Sequence, residues 1–361
     1  MPEPLKVGLI GTGRMGRAHL PAYQQFPDKV RLTAVCDIYE DVAQQYAKDA
    51  GVDKVYTDAT KMLSEADIDA VDICTIHDQH LPHVVAAAEA GKHVLLEKAM
   101  GRTMDECRQM LEATNTAGVT FMVAQDIRYT PNSQAVKRLI QEGELGTIQA
   151  ARCDSIINSK MSDPPGHWMN DGERAGGGVL ITLTIHMIDL LRYFIGDIRR
   201  VSGVCKSVWP AMVNGAEDYA CATLEFENGA IGTAFSIFTV SRSPVAIQYQ
   251  IFGEDGALYT GPPTLETIMQ QVGPPMVSSP KRDEPGVEPV NRYGNFVQLE
   301  PLSEGLVGDN PFTNEILHFA ECCRTGKEPI SSGRDNLGTI KTILGIYESN
   351  RTGKTVDLAT L

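Results

Sequence analysis

The eight cysteines of this chain form no C-x-x-C pair, and only Cys322 and Cys323 are adjacent. That spacing excludes the usual zinc and disulfide frameworks, and a reducing cytoplasm is the expected compartment. No window approaches the roughly 18 uninterrupted apolar residues of a membrane-spanning helix. The opening MPEPLKVGLIGTG has no apolar signal core before its first structural element, so export is not expected. Excess positive charge is lacking as well: 32 Lys and Arg against 46 Asp and Glu leave a net −14. Nucleic acid and anionic membrane both need clustered Lys and Arg, and neither is expected as a partner. What is there is globular: 361 residues, 42% hydrophobic and 22% charged, long enough for two domains.

The first third reads as a nucleotide-binding unit. A short apolar strand, Leu5 to Ile10, runs into Gly11-Thr12-Gly13-Arg14-Met15-Gly16 and then a helix. Glycines there permit a tight turn, close approach of backbone to a pyrophosphate and close helix–strand packing. The following helix would aim its free N–H groups at the phosphates. A second strand, VRLTAVCD, ends in Asp37 about twenty residues later, where a carboxylate would accept hydrogen bonds from a ribose. Ile38 and Tyr39 follow, with no neighbouring Arg or Lys for a 2′-phosphate, which favours NAD over NADP.

Strands and helices keep alternating through DAVDICTI, HLPHVVAAAEAG, KHVLLEK, TMDECRQMLEATNTAG and VTFMVAQD. Such alternation calls for a parallel sheet with ligands beyond the strands' C-terminal ends. Thr75, His77 and His80 lie at one such end, Glu97 and Lys98 at another, and Gln125 and Arg128 at a third; all are expected near the cofactor. His77, His80 and His83 share a three-residue spacing, but Pro82 interrupts them and no Cys or acidic cluster completes a metal site. No metal is expected.

From AGKHVLLEKAM onward the chain resembles the Gfo/Idh/MocA family of nicotinamide-dependent sugar and cyclitol oxidoreductases. The likeness extends through FMVAQDIRYTPNSQAVKRLIQEGELGTI, EDYACATLEFENGAIGT and the closing NEILHFAECCRTGKEPISSGRDNLGTIKTILGIYESNRTG. It implies a Rossmann domain, residues 1–126, and an α/β domain with an open, mostly antiparallel sheet, residues 127–361, used for substrate binding and oligomerisation. The family's Glu-Lys-Pro motif stands here as Glu97-Lys98-Ala99. Lys98 is implied to polarise the reacting hydroxyl, and its ammonium would stabilise alkoxide character as hydride leaves.

A second candidate centre lies in GGGVLITLTIHMIDLLRYF, which starts at Gly176. At 3.6 residues per turn, Thr182, His186, Asp189 and Tyr193 share one stripe of an otherwise apolar helix, Gly178 to Phe194. His186 aligns with the family's general base, a task that suits an imidazole titrating near neutrality. The aspartate that usually precedes it by four is Thr182, and Thr184 stands where glycine is usual. These departures imply a reshaped pocket, with Thr182 contacting substrate and Asp189 orienting the helix or the imidazole. Upstream, His167, Trp168, Asp171 and Arg174 form a polar and aromatic loop; His167, Trp168 and Arg174 are candidate sugar contacts.

Strand and turn signals run from VSGVCKSVWP to QYQIFGEDGALYTG, and a Pro- and Gly-rich excursion follows from Gly261 to Pro311. The expected activity is NAD-dependent oxidation of a secondary hydroxyl of a sugar, glycoside or cyclitol, C3 being a candidate position. The expected assembly is a dimer or tetramer through the C-terminal sheet. The alternatives are a glycoside hydrolase that retains NAD and cleaves by transient C3 oxidation and elimination, and a noncatalytic nucleotide-binding regulator.

Overall fold

The structure is a computed structural model, described for residues 3–160, 162–243, 246–261, 272–282 and 294–361. The chain divides into two compact units: Met1–Asp126 with Val307–Leu337, and Ile127–Leu306 with Gly338–Leu361.

The first unit alternates β1 (Leu5–Ile10), α1 (Arg14–Gln25), β2 (Val30–Cys36), α2 (Glu40–Ala50), β3 (Lys54–Tyr56) and α3 (Ala59–Glu65). It continues with β4 (Ala70–Ile73), α4 (His80–Glu89), β5 (His93–Glu97), α5 (Met104–Ala117) and β6 (Phe121–Ala124). Every strand pair is parallel, in the order β3-β2-β1-β4-β5-β6. Strands covered by helices on both faces should read as continuous apolar runs, and every residue of β4 and β6 is buried. Short polar caps set the helix limits. Asp58 accepts the Thr60 and Lys61 N–H groups ahead of α3, and Thr103 accepts Glu106 N–H ahead of α5. Strand order reverses between β1 and β4, which opens a crevice at the C-terminal ends of the strands. Pro82 does not break α4; it occupies the first turn, where its missing N–H is tolerated.

The second unit begins with α6 (Pro131–Gln141) and β7 (Ile148–Ile156), then α7 (Gly172–Ala175). The helix expected from Gly178 to Phe194 is composite: a π-helical turn over Leu180–Thr184 leads into α8 (Ile185–Ile195). Its most apolar window is 83% buried, so an element with the length and composition of a membrane span serves as core. The strands are β8 (Ile198–Lys206), β9 (Tyr219–Phe226), β10 (Ile231–Ile237), β11 (Ile247–Gly253), β12 (Ala257–Thr260), β13 (Pro275–Ser278), β14 (Val297–Gln298) and β15 (Val356–Asp357). They build one nine-stranded sheet, β14-β13-β12-β11-β7-β10-β9-β8-β15. Of its pairs, β7–β10 is parallel and the rest are antiparallel. Strand β9 alternates buried and less buried residues, as a sheet with one covered face requires.

Much of the excursion from Gly261 to Pro311, residues 262–271 and 283–293, lies outside the described residues; its described parts supply β13 and β14 at the sheet edge. The last helices are α9 (Pro311–Thr325) and α10 (Gly333–Thr352). The sequence assigns α9 to a domain of residues 127–361, whereas residues 307–337 pack in the first unit. There Ser331 Oγ donates to Val123 O at 2.8 Å, and Val123 N–H donates to Ser331 O.

Candidate active site

In the first unit the glycine turn is shaped as its spacing demands. Gly11 holds φ +94°, and a Cβ there would stand 2.7 Å from the Cys74 carbonyl oxygen. A Cβ on Gly16 would meet Gly11 O at 2.5 Å, so this glycine lets α1 close on the turn. Gly13 faces open space: a Cβ there would meet nothing within 4 Å. It is exposed together with Arg14, while Met15 is half-buried. The open glycine lies where phosphate would approach the start of α1.

Asp37 follows β2 and is half-buried. Its Oδ2 accepts Thr12 N–H at 2.9 Å and Thr12 Oγ–H at 3.0 Å, and its Oδ1 accepts Tyr39 N–H. One carboxylate thus ties the glycine turn to the loop after β2. Ile38 and Tyr39, next in the chain, are 78% and 64% exposed.

Three neighbouring strands, β4, β5 and β6, present polar groups just past their C-terminal ends. After β4, Thr75 Oγ is buried without a hydrogen-bond partner among the described residues. After β6, Gln125 is 1% exposed, and both ends of its amide are without hydrogen-bond partners among the described residues. Between them, after β5, stands half-buried Lys98. Buried polar atoms are rarely left unsatisfied, and a polar ligand at this edge would satisfy them. The glycine cradle, Asp37 and these orphaned atoms fit a dinucleotide.

Other expected cofactor residues turn inward. His80 is fully buried, its Nδ1 2.8 Å from Ala99 O and its Nε2 3.2 Å from Thr75 O. His77, 2% exposed, accepts Ala99 N–H at Nε2. These two rings brace the backbone around Lys98, which is a supporting place. Glu97 is 4% exposed and accepts Lys98 N–H at 3.1 Å, so it faces the interior rather than a ligand.

Arg128 is also redirected. In the second unit it is 1% exposed and grips Asp189 with two bonds, Nε at 2.6 Å and Nη2 at 2.7 Å. Thr339 Oγ donates to the same carboxylate at 2.9 Å, and the Tyr193 ring lies under the guanidinium. A buried arginine spent on an interior carboxylate is a framework group. Asp189 accordingly anchors α8 to Arg128 and Thr339, an orienting role on the helix.

His186 is half-buried on α8, two residues beyond the π-helical turn. Thr182, 4% exposed, donates to Gly178 O at 2.7 Å and so serves its own helix. Thr184 is buried against Ser236, Oγ to Oγ 2.7 Å. In the loop, half-buried His167 accepts Met169 N–H, Trp168 is half-buried, and Arg174 is exposed. Asp171 caps α7 by accepting Glu173 N–H.

The contacts of Glu217 give it a definite task. Its carboxylate accepts Gly178 N–H at 2.6 Å and Leu180 N–H at 2.8 Å, and Tyr347 O–H at 3.1 Å. It thereby caps the start of the helix that carries His186. Burial pushes its pKa up and these donors pull it back, leaving it at about 7.

Residues 5–125 match the family model described as "Oxidoreductase family, NAD-binding Rossmann fold", and residues 133–259 match the GFO/IDH/MocA C-terminal domain. D-apiose dehydrogenase of Paraburkholderia graminis is 29% identical over 361 residues, covering 99% of this chain and 90% of that protein. D-glucoside 3-dehydrogenase of Escherichia coli is 29% identical over 245 residues, 63% of this chain and 69% of that protein. Among solved structures, levoglucosan dehydrogenase in complex with NADH and levoglucosan superposes with a TM-score of 0.86 at 26% identity, covering 98% of this chain and 99% of that one.

Proposed function

Because this chain belongs to the Gfo/Idh/MocA oxidoreductase family and carries its NAD-binding Rossmann domain, we propose that it oxidises a secondary hydroxyl of a sugar, glycoside or cyclitol. The observation that carries the proposal is the strand-end edge where Lys98 stands between the unpartnered polar atoms of Thr75 and Gln125. The glycine turn and Asp37 would hold the dinucleotide, which when bound supplies the hydride acceptor. Lys98 donates a hydrogen bond to the reacting oxygen and stabilises its growing negative charge. His186 takes the hydroxyl proton, so the carbinol loses one hydride and one proton and leaves as a ketone. C3 is the position we assign, in keeping with a relative named D-glucoside 3-dehydrogenase. His167, Trp168 and Arg174 are the proposed sugar contacts.

The test mixes enzyme, excess NAD+ and a panel of cyclitols, aldoses and glycosides, and follows reduced-nicotinamide absorbance. Sustained accumulation is expected with at least one sugar. A transient signal that decays as a glycosidic bond breaks would replace this reading with elimination by a retained cofactor, a course that the named relatives do not favour. Lys98→Ala and His186→Ala should each lower kcat at least about a hundredfold while NAD+ still binds. Full turnover in either variant refutes that residue's role. We further propose that one face of the nine-stranded sheet joins copies of this chain.

A further inference from the structure

Behind Lys98, inside the first unit, lies a buried polar cluster that the proposed chemistry does not use. The imidazole of His19, on α1, is fully buried. Its Nδ1 is 2.8 Å from Asp72 Oδ2, on β4. Asp72 also accepts Tyr23 O–H at 2.7 Å and the Cys74 thiol at 3.4 Å. On the other side, His19 Nε2 lies 3.3 Å from Glu97 Oε1, on β5, and 3.8 Å from Glu315 Oε1, on α9. Those distances permit charge attraction, and neither contact is a hydrogen bond. Phe312, also on α9, covers the ring at 5.6 Å between centroids. Glu315 is fully buried, and neither of its oxygens has a hydrogen-bond partner among the described residues.

Nδ1 faces Asp72 Oδ2 and Nε2 lies nearest Glu97 Oε1, so a ring carrying both protons, and with them a positive charge, meets a carboxylate at each nitrogen. Burial opposes that charge, and Asp72 and Cys74 outweigh it, holding the His19 pKa well above the ordinary histidine value. Burial likewise pushes the Glu315 pKa well above the carboxylate range; the His19 charge opposes this, and Asp126, Glu97 and Asp72 add to it. His19, Asp72 and Cys74 also have a spacing that metal sites use. The 2.8 Å between Nδ1 and Oδ2 is a hydrogen-bond distance, too short for two ligands that each bind zinc at about 2.0–2.2 Å in a tetrahedral arrangement.

We propose that His19 is a positioning residue for Lys98, acting through Glu97: its imidazolium fixes one oxygen of the Glu97 carboxylate while the other accepts the Lys98 backbone N–H. This rests on the reading of Lys98 as the polarising group. The turn from β5 into Lys98 is thereby held from behind by a charge that solvent does not reach. Glu315, neutral, fills the same space without competing for that charge.

The test reads the wild-type holoenzyme, saturated with NAD+, by ¹⁵N NMR of its histidine rings at pH 8, with His19→Gln identifying the resonance. Both His19 nitrogens should be protonated; a neutral ring overturns the proposal. The Lys98 backbone amide resonance should move in His19→Gln and in Glu97→Gln, with no further movement in the double variant. On the substrate that the panel selects, His19→Gln should lower kcat roughly ten- to a hundredfold, the scale of a misplaced catalytic group, with Kd for NAD+ nearly unchanged. A Lys98 amide that stays put in His19→Gln refutes the proposal even if Lys98→Ala is inactive. Full activity in Lys98→Ala refutes instead the role given to Lys98, and the amide shift then decides the positioning contact separately.

Discussion

Asp37 is the residue on which the nucleotide reading turns. Its carboxylate, free to accept from a ribose, already ties Thr12 to the loop after β2. Asp37→Ala should therefore weaken NAD+ binding by about 1.5–3 kcal/mol, the range for a lost hydrogen bond to a charged group. Isothermal titration would read this as roughly a ten- to hundredfold higher Kd. Glu217 gives a pH signature. Its folded pKa of about 7 lies above the ordinary 4.5, so the folded state keeps a proton that the unfolded chain has released. Stability from this group is fully present below pH 4.5 and is lost as pH rises toward 7. The loss is at most about 3 kcal/mol by linkage. Urea unfolding across that window should show the fall in the wild type and a flatter profile in Glu217→Gln.

At the scale of elements, α8 is held by Arg128 and Asp189, the first of which sequence reasoning sends to the cofactor. Arg128→Met would leave Asp189 charged and buried, and should cost about 3–5 kcal/mol in chemical denaturation, with NAD+ affinity retained. The start of the same helix admits no side chain at Gly178, where a Cβ would lie 1.9 Å from the Glu217 carbonyl oxygen. Much of this architecture is legible in the sequence. The glycine turn, the limits of β1 and β5, and the placement of Lys98 follow from local spacing and alternation. The π-helical turn is not, because LITLT is buried throughout and satisfies either helical period equally well. Nor does periodicity reveal where α9 packs, since an amphipathic pattern names a buried face and not the core that receives it. Arg128 is misjudged, and the contacts of Glu217 and Glu315 go unseen, for the same reason. Asp189 is 61 residues from Arg128, Gly178 and Leu180 are 37–39 from Glu217 and His19 is nearly 300 from Glu315, and no short motif records such contacts.

For the whole molecule, one face of the nine-stranded sheet carries Val204, Ile231, Phe252 and Tyr259, which are 36–68% exposed. Exposed apolar side chains on one sheet face fit association with a second copy. Sedimentation should find an oligomer, and Ile231→Lys should shift it toward the monomer with NAD+ binding unchanged. The central claim is hydride transfer from a carbinol carbon to bound NAD+. The most direct measurement supplies enzyme and NAD+ with a glycoside deuterated at C3, then locates the label in the isolated nicotinamide by mass spectrometry. The account predicts deuterated NADH accumulating in step with 3-keto sugar. Unlabelled cofactor, with deuterium kept in the sugar or lost to water, would contradict it.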